Sequence, residues 1–196
     1  MFENQAEMRQ RARTQAHQLL QAHPLFLDTE TTGVRSSAEV IEICVIDRQG
    51  SVLFNSLVRP LVPIPPESTQ IHGISNAMVA MAPTWRELWP QVQPILESGP
   101  IGIYNADFDM RLIRQTHVQQ GLLWPQSPIT AFCIMLLYAQ FYGDWDPQRN
   151  GYRWQSLEKA RQRFNLPIPN SHRAKDDALL ARAVLEQIAN SDVPAG

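Results

Sequence analysis

Asp28 and Glu30 follow the apolar run Leu25-Phe26-Leu27 and precede the polar turn Thr31-Thr32-Gly33. In an extended chain, residues two apart point to the same side, so both carboxylates leave one strand end together. Like charges held that close repel unless a cation lies between them. Hard oxygen donors favour Mg²⁺ or Mn²⁺. A second pair of acids stands in Asn105-Ala106-Asp107-Phe108-Asp109, at the start of a helical pattern. Leu112 and Ile113 lie three and four residues beyond Asp109, which puts Asp109 on the apolar stripe. Arg111 and Arg114 lie four and seven residues beyond Asp107, which therefore faces solvent. A buried carboxylate on such a stripe must be paired or bound to a metal. The third group is His172 with Asp176 and Asp177. Leu180, Ala181, Val184 and Ile188 continue an inward stripe from Asp177, whereas the stripe from Asp176 fades at Gln187. Asp177 is therefore the inward acid, and His172, at a loop-to-helix junction, is placed to act as a base near neutral pH.

Taken singly, each group reads as solvated charge or as an exposed loop histidine. Together Asp28, Glu30, Asp109, Asp177 and His172 form a set of inward acids and one base at element ends. Such a set suits two-metal phosphoryl transfer to water. One ion acidifies a water, a base takes its proton, and the other ion offsets charge on the leaving oxygen.

These side chains need elements to carry them. Residues 3–22 lack Gly and Pro and predict a polar, weakly amphipathic helix with Met8, Ala12, Ala16, Leu19 and Leu20 on one stripe. Leu25 to Leu27 predicts a strand running into Asp28, and the β-branched run Val40 to Ile46 a strand buried on both faces. Gln49-Gly50 turns the chain into a further strand over residues 51–58, giving a hairpin. Pro60, Pro63, Pro65 and Pro66 predict an extended connection. Thr84 to Glu97 is helical in pattern, with Pro90 and Pro94 expected to kink or split it. Residues 101–104 predict a short strand, and Asn105 can cap a helix over 106–119. A brief strand over 129–132, a helix to about Tyr142, a polar loop over 143–150, and helices over 154–164 and 173–189 complete the chain. Early strands and interspersed helices indicate an α/β fold with a mixed sheet flanked by helices.

A chain of 196 residues with 44% hydrophobic content supports one core without staples. The expected division is an N-terminal helical extension (1–23), a main domain (24–190) and a short tail (191–196). Two cysteines, Cys44 and Cys133, exclude a disulfide framework and a cysteine zinc site, and read as buried thiols in a reducing compartment. The longest apolar run, Ala131 to Ala139, is too short to span a bilayer, and the first residues lack an apolar core, so no secretory leader is expected. A soluble cytoplasmic protein without a membrane partner is the expectation. Net charge is −2, but the distribution is uneven. Residues 25–109 carry ten acids and four bases, while residues 149–175 carry seven bases and one acid. The first region could hold cations and the second a polyanion. Tyr138, Phe141, Tyr142, Trp145, Tyr152 and Trp154 are interleaved with Arg149 and Arg153, which fits either base stacking or ordinary helix packing.

The residues also carry a family resemblance. Phe26-Leu27-Asp28-Thr29-Glu30-Thr31-Thr32-Gly33 resembles the first motif of the DnaQ-like 3′→5′ exonucleases. Tyr104-Asn105-Ala106-Asp107-Phe108-Asp109 resembles the second, and His172 followed five residues later by Asp177 the third motif of the histidine-type (DEDDh) branch. Arg173 stands where the tyrosine-type branch would have Tyr. Ile71-His72-Gly73-Ile74-Ser75 is similar to a segment of the proofreading-subunit group, the epsilon type of DNA polymerase III. The resemblance runs from about Leu25 to Ile188. It implies a ribonuclease H-like fold, a five-stranded mixed sheet with helices on both faces. It also implies two Mg²⁺, or Mn²⁺ in their place, held by Asp28, Glu30, Asp109 and Asp177, with His172 as general base. The implied reaction releases nucleoside 5′-monophosphates from a 3′ end, with single-stranded or frayed DNA as first expectation and RNA or short oligonucleotides as the alternative. A degenerate fold that only binds nucleic acid or a polymerase is the third reading. Thr31, Ile71, His72 and Asn105 fall where the terminal nucleotide would be held, and Arg173 and Lys175 flank His172 as phosphate contacts. The chain ends about twenty residues after Asp177, too few for the long extension with which proofreading subunits grip their polymerase. A stand-alone nuclease, or one in an unusual complex, is therefore expected over a standard polymerase partner.

Overall fold

The computed structural model describes residues 5–191. Residues 3 and 4 of the expected first helix and most of the expected tail lie outside that range. The first helix, α1 (Gln5–Gln21), buries Ala12, Ala16 and Leu20. The central sheet follows the order β3-β2-β1-β4-β5. Its strands are β1 (Leu25–Thr31), β2 (Val40–Ile46), β3 (Val52–Leu57), β4 (Ile101–Ile103) and β5 (Ala131–Cys133). β1, β2 and β3 form an antiparallel meander, while β4 and β5 add in parallel on the other side of β1. The sheet is thus five-stranded and mixed, as the sequence and the resemblance both indicated.

Alternation along the strands divides the core. Leu25, Leu27, Ile43, Val45, Ile101 and Ile103 face α4 (Trp85–Leu96) and α5 (Ala106–Gln119). Phe26, Cys44 and Ile46 face the opposite layer. That layer comprises α1, α6 (Ile134–Tyr142), α7 (Leu157–Arg163) and α8 (Ala174–Asn190). Gly102 lies under the rings of Phe26 and Phe132, and a Cβ there would come within 2.7 Å of Phe132. A larger residue at that point would push the second helix layer off the sheet.

α1 belongs to this second layer. Arg9 Nε donates to the Phe141 carbonyl at 3.1 Å and Arg13 Nε to the Ala189 carbonyl at 3.1 Å. Two arginines thus satisfy carbonyls at the ends of α6 and α8 that those helices cannot bond internally.

Several local expectations are corrected. The proline-rich connection holds a short helix, α2 (Pro66–His72), with Pro66 in its first turn and Gly73 closing it at φ 72°. Proline is preset for a helix start because its fixed φ suits the helix and its missing N–H is not needed there. A further turn, α3 (Asn76–Val79), starts at Ser75, whose side chain accepts from the Met78 N–H. α4 runs unbroken through Pro90 and Pro94, both on its exposed side. Thr84 and Glu87 start it with a reciprocal capping box, and Trp85, Leu88, Trp89 and Val92 hold it to the sheet. The loop over 143–150 contains half of a small hairpin, β6 (Trp145–Asp146) with β7 (Gly151–Tyr152). Both cysteines are free, and burial pushes the Cys44 thiol up to about 12.

Candidate active site

β1 and β4 lie side by side and parallel, but β1 continues toward β2 on one side and β4 toward β5 on the other. Strands that diverge in this way leave a crevice at their carboxyl ends, where open α/β sheets bind ligands. Asp28 and Glu30 project from β1 on the side of Phe26, at that end. Asn105 lies two residues past β4 at the cap position of α5, which brings Asp109 to the same crevice within one helical turn. Asp109 is only 4% exposed, whereas Asp107 faces solvent, as the stripe argument required. Thr29 secures the join. Its N–H and Oγ1 both donate to Asp109 Oδ1, at 3.2 and 2.7 Å.

The remaining residues come from the start of α8. Asp177 is buried and Asp176 half-buried, with its Oδ2 accepting from the Ser171 hydroxyl at 2.7 Å. With its amide nitrogen turned toward the acid, the orientation that satisfies both groups, Asn170 donates to both Asp177 oxygens at 3.1 Å. His172 is exposed at the mouth of the crevice and adopts φ 52°. One ligand atom from each of Glu30, His172 and Asp177 lies within 4.8 Å of the others. The structure therefore brings together side chains that stand as much as 149 positions apart, from Asp28 to Asp177.

Their electrostatics follow from burial and from one another. Desolvation, then the charges of Asp109, Glu30 and Asp177, hold the Asp28 carboxyl well above the ordinary carboxylate range. Burial, then Asp177 and Glu42, push Glu30 up to about 8, against a weaker pull from Arg173. Burial raises Asp109 to about 7, opposed by its bonds from Thr29. Asp177 also rises to about 7 through burial, opposed by the Ser171 backbone N–H. Among the described residues, no donor bonds to the Asp28 or Glu30 carboxylate. Half-buried oxygens that repel each other and lack donors fit a hard divalent cation better than any protein partner.

The residues expected to touch substrate fare differently. Thr31 is buried, and its hydroxyl donates to the Gly33 carbonyl at 2.7 Å. Ile71 is exposed and lines a groove of about 440 Å³ with Thr32, Val34 and Ser68. His72 is buried, with Nδ1 accepting from the Ile74 N–H at 3.0 Å and Nε2 without a hydrogen-bond partner. Burial holds its pKa below the usual histidine value, against the opposing Thr31 carbonyl. Asn105 occupies the cap position of α5, but its side chain makes no capping bond. Lys175 is exposed and, among the described residues, holds no salt bridge. Arg173 is tied elsewhere, since one edge of its guanidinium, Nε and Nη2, is engaged by Glu42. Of the aromatic segment, Tyr138 and Phe141 are buried and pack on Phe164, Trp145 meets Tyr152, and Trp154 stays 66% exposed.

Three polar residues of this region escaped sequence reasoning: Thr29, Asn170 and Glu42. Thr29 points away from its neighbours in β1, and its partner lies 80 positions on. Asn170 reads as loop. Glu42 carried one legible signal, an acid inside an otherwise apolar strand.

Comparison with known proteins places the chain in a family. Residues 25–185 match the family described as Exonuclease (RNase T). The chain is 38% identical to the uncharacterized exonuclease CP81 of Escherichia phage 186 over 182 residues, covering 89% of this chain and 92% of that one. It is 30% identical to exodeoxyribonuclease 10 of Escherichia coli K12 over 169 residues, covering 84% of this chain and 68% of that protein. Longer relatives contain the matched region as a part: it spans 20% of a DNA polymerase III subunit epsilon-like protein of Rhodobacter capsulatus. Among solved structures, exonuclease X in complex with 5′-overhanging duplex DNA aligns with a TM-score of 0.64 at 27% identity, covering 86% of this chain and 92% of that one. No helix among the described residues is long and apolar enough to cross a membrane. With acids gathered at the sheet's divergent point and a histidine beside them, the chain belongs to the DnaQ-like exonuclease family, as a 3′→5′ exonuclease of the DEDDh type.

Proposed function

We propose that the protein removes nucleoside 5′-monophosphates from 3′ ends of DNA, with single-stranded or frayed ends as its substrate. The observation that carries this reading is the approach of Glu30, His172 and Asp177 within 4.8 Å beside the mutually repelling Asp28 and Asp109. Asp28, Glu30, Asp109 and Asp177 would hold two Mg²⁺, with Mn²⁺ as a substitute. When bound, such ions acidify an attacking water and offset charge on the leaving 3′ oxygen.

The chain's own residues supply the rest. His172 is exposed and unburdened by a side-chain partner, so its imidazole can accept the proton of the attacking water. Thr29 fixes Asp109, so one ligand oxygen is aimed before substrate arrives. Ile71 offers an apolar wall for the terminal nucleotide, the buried His72 shapes the loop behind it, and the Asn105 amide, which makes no capping bond, is placed to donate to its sugar or phosphate. Lys175 is the cation left for the phosphate backbone. DNA is favoured because, of the relatives described above, exodeoxyribonuclease 10 is named for DNA and the exonuclease X structure holds duplex DNA.

The test is Mg²⁺-dependent release of mononucleotides from matched 3′-labelled single-stranded DNA, duplex DNA and RNA. Faster digestion of single-stranded DNA supports the reading. Faster digestion of RNA replaces its substrate, and Asp28→Ala activity equal to wild type removes its mechanism.

A further inference from the structure

Glu42 pairs across the sheet with Glu30 and is 3% exposed. It thus adds a fifth acid to a crowded crevice, yet the proposed chemistry makes no use of it. One cation, 131 positions away, compensates it. Arg173 Nε donates to Glu42 Oε2 at 3.0 Å and Arg173 Nη2 to Oε1 at 2.6 Å. The Ala174 N–H adds a third bond, to Oε2 at 3.0 Å. A planar guanidinium fixed at two points to a buried carboxylate has little freedom to turn.

The two residues so fixed immediately follow His172, which has left-handed backbone at φ 52°. Residues with a side chain hold that conformation only where their surroundings impose it. On the upstream side, Asn170 and Ser171 are bound to Asp177 and Asp176. On the downstream side, the hold on the chain is Glu42. The exposed imidazole is therefore set by anchors in the rigid sheet and helix, not by contacts of its own.

We propose that Glu42 and Arg173 form a clasp that positions His172 over Glu30 and Asp177, and that both act as positioning residues for hydrolysis. The clasp rests on the reading of His172 as the base. It also reassigns Arg173 from the phosphate to the loop, since a guanidinium drawn to substrate would leave Glu42 buried among like charges.

The test is a kinetic cycle on a 3′-labelled single-stranded DNA oligonucleotide with Mg²⁺, using Glu42→Gln, Arg173→Met, Arg173→Lys, His172→Ala and the double variant of Glu42→Gln with His172→Ala. Glu42→Gln and Arg173→Met should each lower kcat about 10- to 100-fold while KM moves less than about threefold. Arg173→Lys should recover part of that loss. In the His172→Ala background, Glu42→Gln should lower kcat by less than about twofold, because the route through His172 is already gone. Multiplying effects in the double variant overturn the clasp while leaving the base in place. A raised KM with unchanged kcat in Arg173→Met does the same, returning Arg173 to phosphate binding. Wild-type kcat in His172→Ala removes the base reading itself. Circular dichroism melts accompany every variant. Should Glu42→Gln fail to fold, the Arg173 variants, whose side chain is 41% exposed, carry the same cycle with His172→Ala.

Discussion

Two acids on neighbouring stretches of the chain live by opposite rules. Glu39, just before β2, is 1% exposed and accepts from the Leu61 and Val62 N–H groups at 2.9 and 3.0 Å and from Gln120 Nε2 at 3.3 Å. Asp28, in β1, meets Asp109, Glu30 and Asp177 instead. The first carboxylate holds a loop and a helix end in place, because each oxygen has a donor. The second has neighbours of its own sign, which is tolerable only if something arrives from outside. A satisfied buried acid marks architecture, and a frustrated one marks chemistry. His117 and His172 repeat the contrast. The former is buried between the Trp85 indole N–H and the Leu123 carbonyl, and the latter is exposed beside the acids.

The sharpest way to break this contrast is to remove one acid of each kind. Asp28→Ala or Asp109→Ala should lower kcat by about 10³-fold or more, read as mononucleotide release, with the fold intact by circular dichroism. Activity near wild type in either would show that the crevice is not the reaction centre. Glu39→Leu should leave kcat per folded molecule unchanged but lower stability by about 2–3 kcal/mol, measured by urea unfolding, since it strands the Leu61 and Val62 N–H groups. Loss of activity without loss of stability would put Glu39 in the site.

The acids' raised pKa values sharpen the same point through pH. Glu30, Asp109 and Asp177 bind protons more tightly folded than unfolded. Without metal, the stability they contribute is complete below the unfolded values near ~4 and is lost as pH rises through about 7 to 8. Added Mg²⁺ needs the ionised forms, so it should raise Tm by several degrees at roughly pH 8.5 and hardly at all at roughly pH 5.5. An equal gain at both would deny that these groups meet the ion. The smallest effect is expected from Asp107→Ala, with kcat within about twofold of wild type and stability within about 0.5 kcal/mol. A loss matching Asp109→Ala would overturn the assignment of the two acids to opposite faces of α5.

Much of this was legible in the residues because it is local. β2 is bounded as its β-branched run indicated, and α5 begins where Asn105 suggested. Asp109 went inward because its own helix turn continues into Leu112 and Ile113. What stayed hidden depends on distant partners or on context. Pro66 could as well extend a chain as open a helix, and only the packing of Ser68 and His72 decides for α2. Asn105 sits at a cap position without capping, which no residue type announces. Arg173 looked like a phosphate ligand because it is basic and adjoins His172, while the acid that claims it lies in β2.

The way α1 joins the second helix layer bears on how the protein is trimmed. The family match begins at residue 25, yet Ala12, Ala16 and Leu20 sit in one apolar cluster with Phe141, Val184 and Ile188. Cutting the gene at the match boundary would strip a wall from that interior and uncover greasy surface at the ends of two helices. A preparation that clumps after such a cut would be reporting lost shelter behind the sheet, with the acidic crevice at the carboxyl ends of the strands still correctly built.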